Sequence, residues 1–86
     1  MTNKSEAKDP NTYTAHMRYI SKGYKDGQNV YYFEDIYGKC YEWHTGADKH
    51  LKRDRDIWYS IRYQWLINKG YNRIKNVRVQ GMVRQR

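Results

Sequence analysis

Residue types that commonly bind metals or catalyse reactions are few in this 86-residue sequence. Cys40, His44 and His50 are of metal-ligating types, and on a strand Cys40 and His44 point to the same side. They stand too far apart to chelate one ion, and the recognisable spacing of four ligands that marks a structural zinc site is missing. We therefore predict no metal site and no cofactor.

Catalytic groups are equally sparse. Asp54 and Asp56 form the only close acidic pair outside a predicted hairpin, and Ser60 has no evident base. Neither a glycine-rich phosphate loop nor a nucleophile motif occurs. We predict that the chain is not an enzyme.

Aromatic and basic side chains are abundant instead: ten Tyr, three Trp and one Phe accompany a formal net charge of +8. Residues 1–56 hold ten Lys or Arg and nine Asp or Glu, whereas residues 57–86 hold seven Lys or Arg and no acid. A basic, acid-free segment that also carries aromatic rings is typical of a protein with a polyanionic partner such as nucleic acid. A solvated basic surface that serves only solubility is the alternative.

The elements that must position these side chains are strands. Alternation of apolar and polar residues predicts five of them, over Tyr13–Tyr24, Asn29–Ile36, Lys39–Thr45, Ile57–Ile67 and Tyr71–Val83. The pattern of the last strand slips near Lys75-Asn76, which predicts a bulge there.

The segments between the strands are polar. Glycines at positions 27, 38 and 70 mark tight turns, and residues 47–56 are expected to form a loop or a single helical turn. Residues 1–11 lack periodicity and are predicted to be a flexible, disordered tail. Five strands with the longest connection between the third and fourth predict one small closed barrel over residues 12–86.

Two stretches carry the pattern of a known group. Residues 31–46 contain the aromatic-x-aromatic-x-Asp strand Tyr31-Tyr32-Phe33-Glu34-Asp35, a turn at Gly38 and the strand end Trp43-His44-Thr45. Together with residues 68–79, which look like a closing hairpin, this pattern resembles small OB-fold proteins of bacterial phages and mobile elements that bind single-stranded nucleic acid. The resemblance covers residues 13–83.

The resemblance implies an all-β fold with a small five-stranded OB-type barrel. It also implies binding of single-stranded nucleic acid across strands two and three, flanked by the strand 1–2 and strand 4–5 loops. In that group strand four often carries a glycine where the barrel bends, whereas this chain has Ser60 or Ile61.

Alternation also divides the side chains between two sides of each strand. The predicted interior set is Tyr31, Phe33, Trp43, Ile57, Tyr59 and Ile61. The predicted exposed set is Tyr32, His44, Trp58 and Arg62. A register shift of one residue would exchange the two sets. Exposed rings suit single strands, since stacking one base contributes about 1–3 kcal/mol.

Cations in the turns and late strands are the predicted phosphate contacts. Lys25 lies in the strand 1–2 turn, Lys39 in the 2–3 turn, and Lys69 and Arg73 around the 4–5 turn. The full predicted nucleic-acid-binding set is Lys25, Tyr32, Lys39, His44, Trp58, Arg62, Lys69, Arg73, Lys75 and Arg78.

The leading hypothesis is sequence-tolerant binding of single-stranded nucleic acid, with DNA favoured over RNA, in replication, recombination or transfer of a mobile element. The alternative is a small phage or mobile-element protein that binds and inhibits a host protein, because Tyr, Trp and Arg are also the residues enriched in interface hot spots. Self-association stays open. With no apolar run of membrane-spanning length, no signal-peptide pattern and a single cysteine, we expect a location in the cytoplasm of a bacterial host.

Overall fold

The computed structural model describes residues 11–66 and 72–84, and these form five β-strands without a helix. The strands are β1 (Thr12–Lys25), β2 (Gln28–Asp35), β3 (Cys40–Thr45), β4 (Ile57–Trp65) and β5 (Arg73–Arg84). The predicted all-β class is thus confirmed, and each observed strand bound lies within two residues of the predicted one. Lys69, the turn around Gly70 and all of the predicted tail except Asn11 lie outside the described residues.

The five strands make one closed, barrel-like sheet in the order β1-β2-β3-β5-β4. Strand β1 takes part in two pairings, because its first half pairs with β4 and its second half with β2. Met17 stands at the change-over and has Asp35 as its partner on one side and Tyr59 on the other. All pairings are antiparallel except that of β3 with β5, which joins only Glu42 to Arg73 and Trp43 to Ile74.

Bulges bend β1 and β5, the two strands that complete the closure of the sheet. An extra residue, Ile20, interrupts the β1–β2 register between Tyr19 and Ser21. Strand β5 has an irregularity between Lys75 and Arg78, and Asn76 there has a φ of 51°. The predicted bulge near Lys75-Asn76 is therefore confirmed. A further extra residue, Gln80, lies on β5 opposite the Ser60–Ile61 step of β4, so the bend at that level is made by a bulge in β5.

Aromatic and branched side chains fill the interior of the sheet. All six residues of the predicted interior set are buried, together with Met17, Val30, Tyr41, Tyr63 and Ile74. The rings of Tyr31 and Trp43, which are cross-strand partners, have centroids 5.5 Å apart. Full burial of a large apolar side chain contributes about 1.5–3 kcal/mol, so a few rings suffice to stabilise a sheet of this size.

Tyrosine hydroxyls fasten residues 46–56 across one end of the sheet. The backbone N–H of Lys49 donates to Tyr31 Oη at 2.6 Å, and that of Lys52 donates to Tyr59 Oη at 2.7 Å. Lys22 Nζ adds an ion pair with Asp48 at 2.9 Å. Of the two predicted alternatives for this connection, the loop is correct. The described part of the chain has no helix with the length and apolar character needed to cross a membrane.

Removing one of these hydroxyls should loosen the loop without disturbing the interior. We expect Tyr59→Phe to lower the free energy of unfolding by about 1–2 kcal/mol, because the Lys52 N–H loses its acceptor while the ring stays buried. Urea unfolding and amide hydrogen exchange at Lys52 would measure the two effects. Tyr24→Phe is the matched control, since Tyr24 is 74% exposed; an equal loss in both variants would contradict this role of Tyr59.

Candidate nucleic-acid interface

Two arginines face each other on the outer side of β4 and β5. Arg62 is the cross-strand partner of Arg78, and Lys75 is the partner of Gln64 one step further along. Ile61 and its alternate neighbours are buried, so Arg62 points outward. Like charges directly opposite each other destabilise a strand pair. No acid occurs in the described parts of either strand, so this arrangement favours a bound anion.

Polar side chains complete a shallow hollow between these arginines, with a volume of about 340 Å³. We call it the arginine groove, lined by Thr12, Arg62, Gln64, Asn76 and Arg78. The Gln64 side-chain amide donates to Thr12 Oγ1 at 3.1 Å and accepts from Asn76 Nδ2 at 2.6 Å. These hydrogen bonds fix the orientation of the Thr12, Gln64 and Asn76 side chains, and the two arginines complete the lining of the hollow.

A cluster of rings lies on the inner side of the sheet, near the same end of β1 and β4 as the groove. We call it the rim cluster, made of Tyr13, Tyr41, Tyr63, Trp65 and Lys39. Trp65 stacks on Tyr41 with centroids 5.5 Å apart and planes at 24°, and Lys39 Nζ lies 4.6 Å from the Trp65 centroid. Tyr13 is 44% exposed and lies beside Tyr63, with centroids 5.8 Å apart.

Of this cluster, sequence reasoning identified only Lys39 as a site residue. The sequence does contain a signal for two of the others. Tyr63 and Trp65 are two residues apart on β4, so both rings lie on the same side as Ile61.

Asp35 shapes the β2–β3 turn that carries Lys39. Its Oδ1 accepts from the backbone N–H groups of Tyr37 and Lys39, both at 2.9 Å, and its Oδ2 accepts from Tyr41 Oη at 2.8 Å. Burial raises the pKa of Asp35, but the three hydrogen bonds and the Lys39 charge outweigh it and hold the pKa below the usual 3.8. Burial, followed by the hydrogen bond to Asp35, raises the pKa of Tyr41.

The outer face of β2 and β3 differs from the prediction at His44. We expected an exposed imidazole, but the His44 side chain is only 7% exposed. Its Nδ1 lies 2.8 Å from Arg73 Nη2, and its Nε2 lies 3.0 Å from Glu42 Oε1. Because a guanidinium can only donate, Nδ1 accepts from Arg73 and the ring proton is on Nε2, which donates to Glu42. His44 and Arg73 are thus engaged with each other.

Two acids further distinguish the β2–β3 face from the arginine groove. Glu42 is held by His44, and Glu34 forms an ion pair with Arg18 at 2.7 Å. Tyr32, also on this side, is partly buried, with its ring next to the backbone of Gly23. Neither Tyr32 nor His44 is therefore as exposed on this face as the sequence predicted.

The remaining predicted residues lie apart. Trp58 is only partly exposed and has the Arg18 guanidinium 5.3 Å from its ring centroid. Lys25 is exposed beside the turn at Asp26-Gly27, where positive φ angles of 51° and 79° match a type I′ turn.

The structure thus brings together Arg62, Lys75 and Arg78 on one face of the sheet, places Lys39 in the rim cluster, and separates the other predicted residues from them.

Comparison of the chain with protein-family models, with curated proteins and with solved structures finds no match.

The Asp35 hydrogen bonds predict a specific acid sensitivity. Since the folded pKa lies below the unfolded value of 3.8, the contribution of Asp35 is fully present above the unfolded pKa and is lost as the pH falls through the folded pKa. We expect Asp35→Asn to be less stable than the native chain at pH 6 and to show a smaller loss between about pH 5 and pH 2. Urea unfolding across that range measures both.

Asp26→Asn is the control for this series, because Asp26 is exposed and Asn tolerates its φ of 51°. Its stability profile should run parallel to that of the native chain. An Asp35→Asn profile with the full native pH dependence would show that other groups cause the acid sensitivity.

Proposed function

We propose that this protein binds single-stranded nucleic acid, DNA in preference to RNA, through the arginine groove and the rim cluster. The observation that carries the proposal is the position of Arg62 directly across from Arg78 on a face whose described strands hold no acid. A phosphate between the two guanidinium groups would relieve their repulsion and accept charge-assisted hydrogen bonds from both.

The rim cluster supports a single strand over a duplex. The groove and the cluster lie on opposite faces of the sheet, because Arg62 and Gln64 point outward while Tyr63 and Trp65 point to the side of Ile61. Both include residues at the same end of β1 and β4, where Tyr13 is 44% exposed. A strand held by its phosphates in the groove would bring its bases to Tyr13 and Trp65 by passing round this end of the sheet. Only unpaired bases offer free faces for stacking, and this stacking tolerates any sequence.

We further propose that the fold is of the OB type. The strand order β1-β2-β3-β5-β4 and the pairing of β1 with both β2 and β4 support it, as five-stranded Greek-key barrels of this kind bind oligonucleotides. The sequence predicted a binding face on β2 and β3, but Glu34 and Glu42 lie on those two strands. We therefore propose β4 and β5 as the binding face instead. Replication, recombination or transfer of a mobile element in a bacterial cytoplasm is the setting that we propose, following the resemblance of residues 31–46.

One observation favours the alternative function, docking on a host protein. Ile36 and Tyr37 in the β2–β3 turn are 62% and 86% exposed, and neither side chain takes part in the hydrogen bonds by which Asp35 organises the turn. Exposed apolar side chains at a turn are suited to a protein contact. In this alternative, nucleic acid would bind weakly or not at all.

Fluorescence anisotropy with a labelled single-stranded DNA of mixed sequence tests the proposal directly. The same sequence as duplex and as RNA would be measured beside it, each at several salt concentrations. We expect Arg62→Ala/Arg78→Ala to weaken binding about tenfold or more and to reduce the slope of log affinity against log salt by about 0.7, since the two arginines share one phosphate and each neutralised phosphate contributes about 0.7.

Lys52→Ala/Arg55→Ala is the matched control, because it removes the same charge from exposed positions of the loop 46–56. This variant should change affinity much less. Equal losses in the two variants would indicate attraction by net charge alone, and anisotropy that stays flat for the native protein would overturn the proposal in favour of a protein target.

A further inference from the structure

Among the described residues, strand β5 has an edge without a strand partner along most of its length. Beyond Ile74, the described residues of β5 pair with β4 alone, because the parallel contact with β3 ends at the partners Trp43 and Ile74. The backbone from Val77 to Val83 therefore presents N–H and C=O groups on the side that faces β3. An open edge of this kind is a template for an added strand.

A groove of about 500 Å³ opens along this edge, where β3 and β5 diverge. We call it the β3–β5 groove. Its apolar lining comes from Trp43, Leu51, Tyr59, Val77 and Val79. Its polar lining is basic, with Lys49, His50 and Arg78, and none of the described residues that line it is acidic.

The wall opposite β5 is already held in position. Lys49 and Lys52, on either side of His50 and Leu51, have their backbone N–H groups bound to the hydroxyls of Tyr31 and Tyr59. Lys49 Nζ also lies 5.7 Å from the centroid of the Trp43 ring. A preformed wall means that a ligand does not have to order the loop when it binds.

We propose that the β3–β5 groove binds an extended acidic segment of a partner protein, which pairs with the edge of β5 and inserts an apolar side chain above Trp43. Backbone hydrogen bonds between the segment and β5 would provide affinity. Every second side chain of the segment would point into the groove, and its fit there would provide specificity. Acidic side chains of the segment would meet Lys49 and Arg78. This site is separate from the proposed nucleic-acid interface, although Arg78 borders both.

Two features favour a peptide over other occupants. A nucleic-acid strand has no alternating N–H and C=O groups to complement a strand edge. A second copy of this chain would bring its own Lys49 and Arg78 against those of the first, and like charges placed together oppose pairing.

A synthetic seven-residue peptide of alternating glutamate and valine, with phenylalanine at its centre, is a suitable probe. Its addition to ¹⁵N-labelled protein should give saturable amide shifts at residues 77–83 and 49–51. The same peptide with N-methyl groups on alternate amides keeps its charge but loses strand pairing, and we expect it to bind at least about tenfold more weakly.

Lys49→Glu and Lys52→Glu form a matched pair of variants in one loop with the same change of charge. Only Lys49 lines the groove, so Lys49→Glu should weaken peptide binding about tenfold while Lys52→Glu changes it little. Arg62→Ala should leave peptide binding intact, which separates this test from that of the nucleic-acid interface. The folded state of each variant is checked by its amide spectrum.

Three outcomes would overturn the proposal. Equal binding of the N-methylated peptide would mean that only charge is recognised. Shifts at residues 49–51, which line only this groove, caused by single-stranded DNA and not by the peptide would assign the groove to nucleic acid. Shifts at residues 77–83 that depend on protein concentration alone would assign the edge to a second copy of the chain.

Discussion

Closure of this small sheet depends on β1, which must pair with two different strands. The first half of β1 lies against β4 and the second half against β2, and the bulge at Ile20 follows the change-over at Met17. Without that bend, β1 would continue straight and leave one of its neighbours unpaired. The closed arrangement buries the aromatic interior and leaves a gap where β3 and β5 diverge.

Tyrosine connects the interior with the surface. The rings of Tyr31, Tyr41 and Tyr59 are buried, yet each hydroxyl reaches a polar group at an end of the sheet. Phenylalanine would fill the same space but would leave the loop 46–56 and the Asp35 carboxylate without these partners. These three tyrosines therefore combine a buried ring with a polar tip that orders the loop and the turn.

Charge is segregated by strand. The acids on β2 and β3 contact neighbouring groups: Glu34 forms an ion pair with Arg18, and Asp35 accepts hydrogen bonds from the β2–β3 turn. On β4 and β5 every charged side chain is Lys or Arg. Arg78 lies between the two proposed sites, with the arginine groove on its outer side and the β3–β5 groove along its strand edge. Arg78 is thus the one residue that the two proposed sites share.

Local chemistry by itself determined much of this fold. The period-two alternation of β4 predicted its buried side, since successive side chains of a strand point to opposite faces, and the Asp26-Gly27 and Gly38 signals predicted turns that do require positive φ. The slip in the β5 pattern predicted the bulge near Asn76 for the same reason. Side-chain periodicity and backbone dihedral preferences are properties of neighbouring residues, so they can be read from the sequence.

Contacts between distant strands were decided only by the tertiary structure. Alternation placed His44 on the outer side of β3, but it did not predict that Arg73, which is 29 residues away, would bury the imidazole. The pairing of Arg62 with Arg78 depends on a bulge whose exact position sets the register. The β3–β5 groove exists because two strands that are far apart in sequence pair briefly and then diverge. Such features depend on how the whole sheet closes, and no local pattern encodes that geometry.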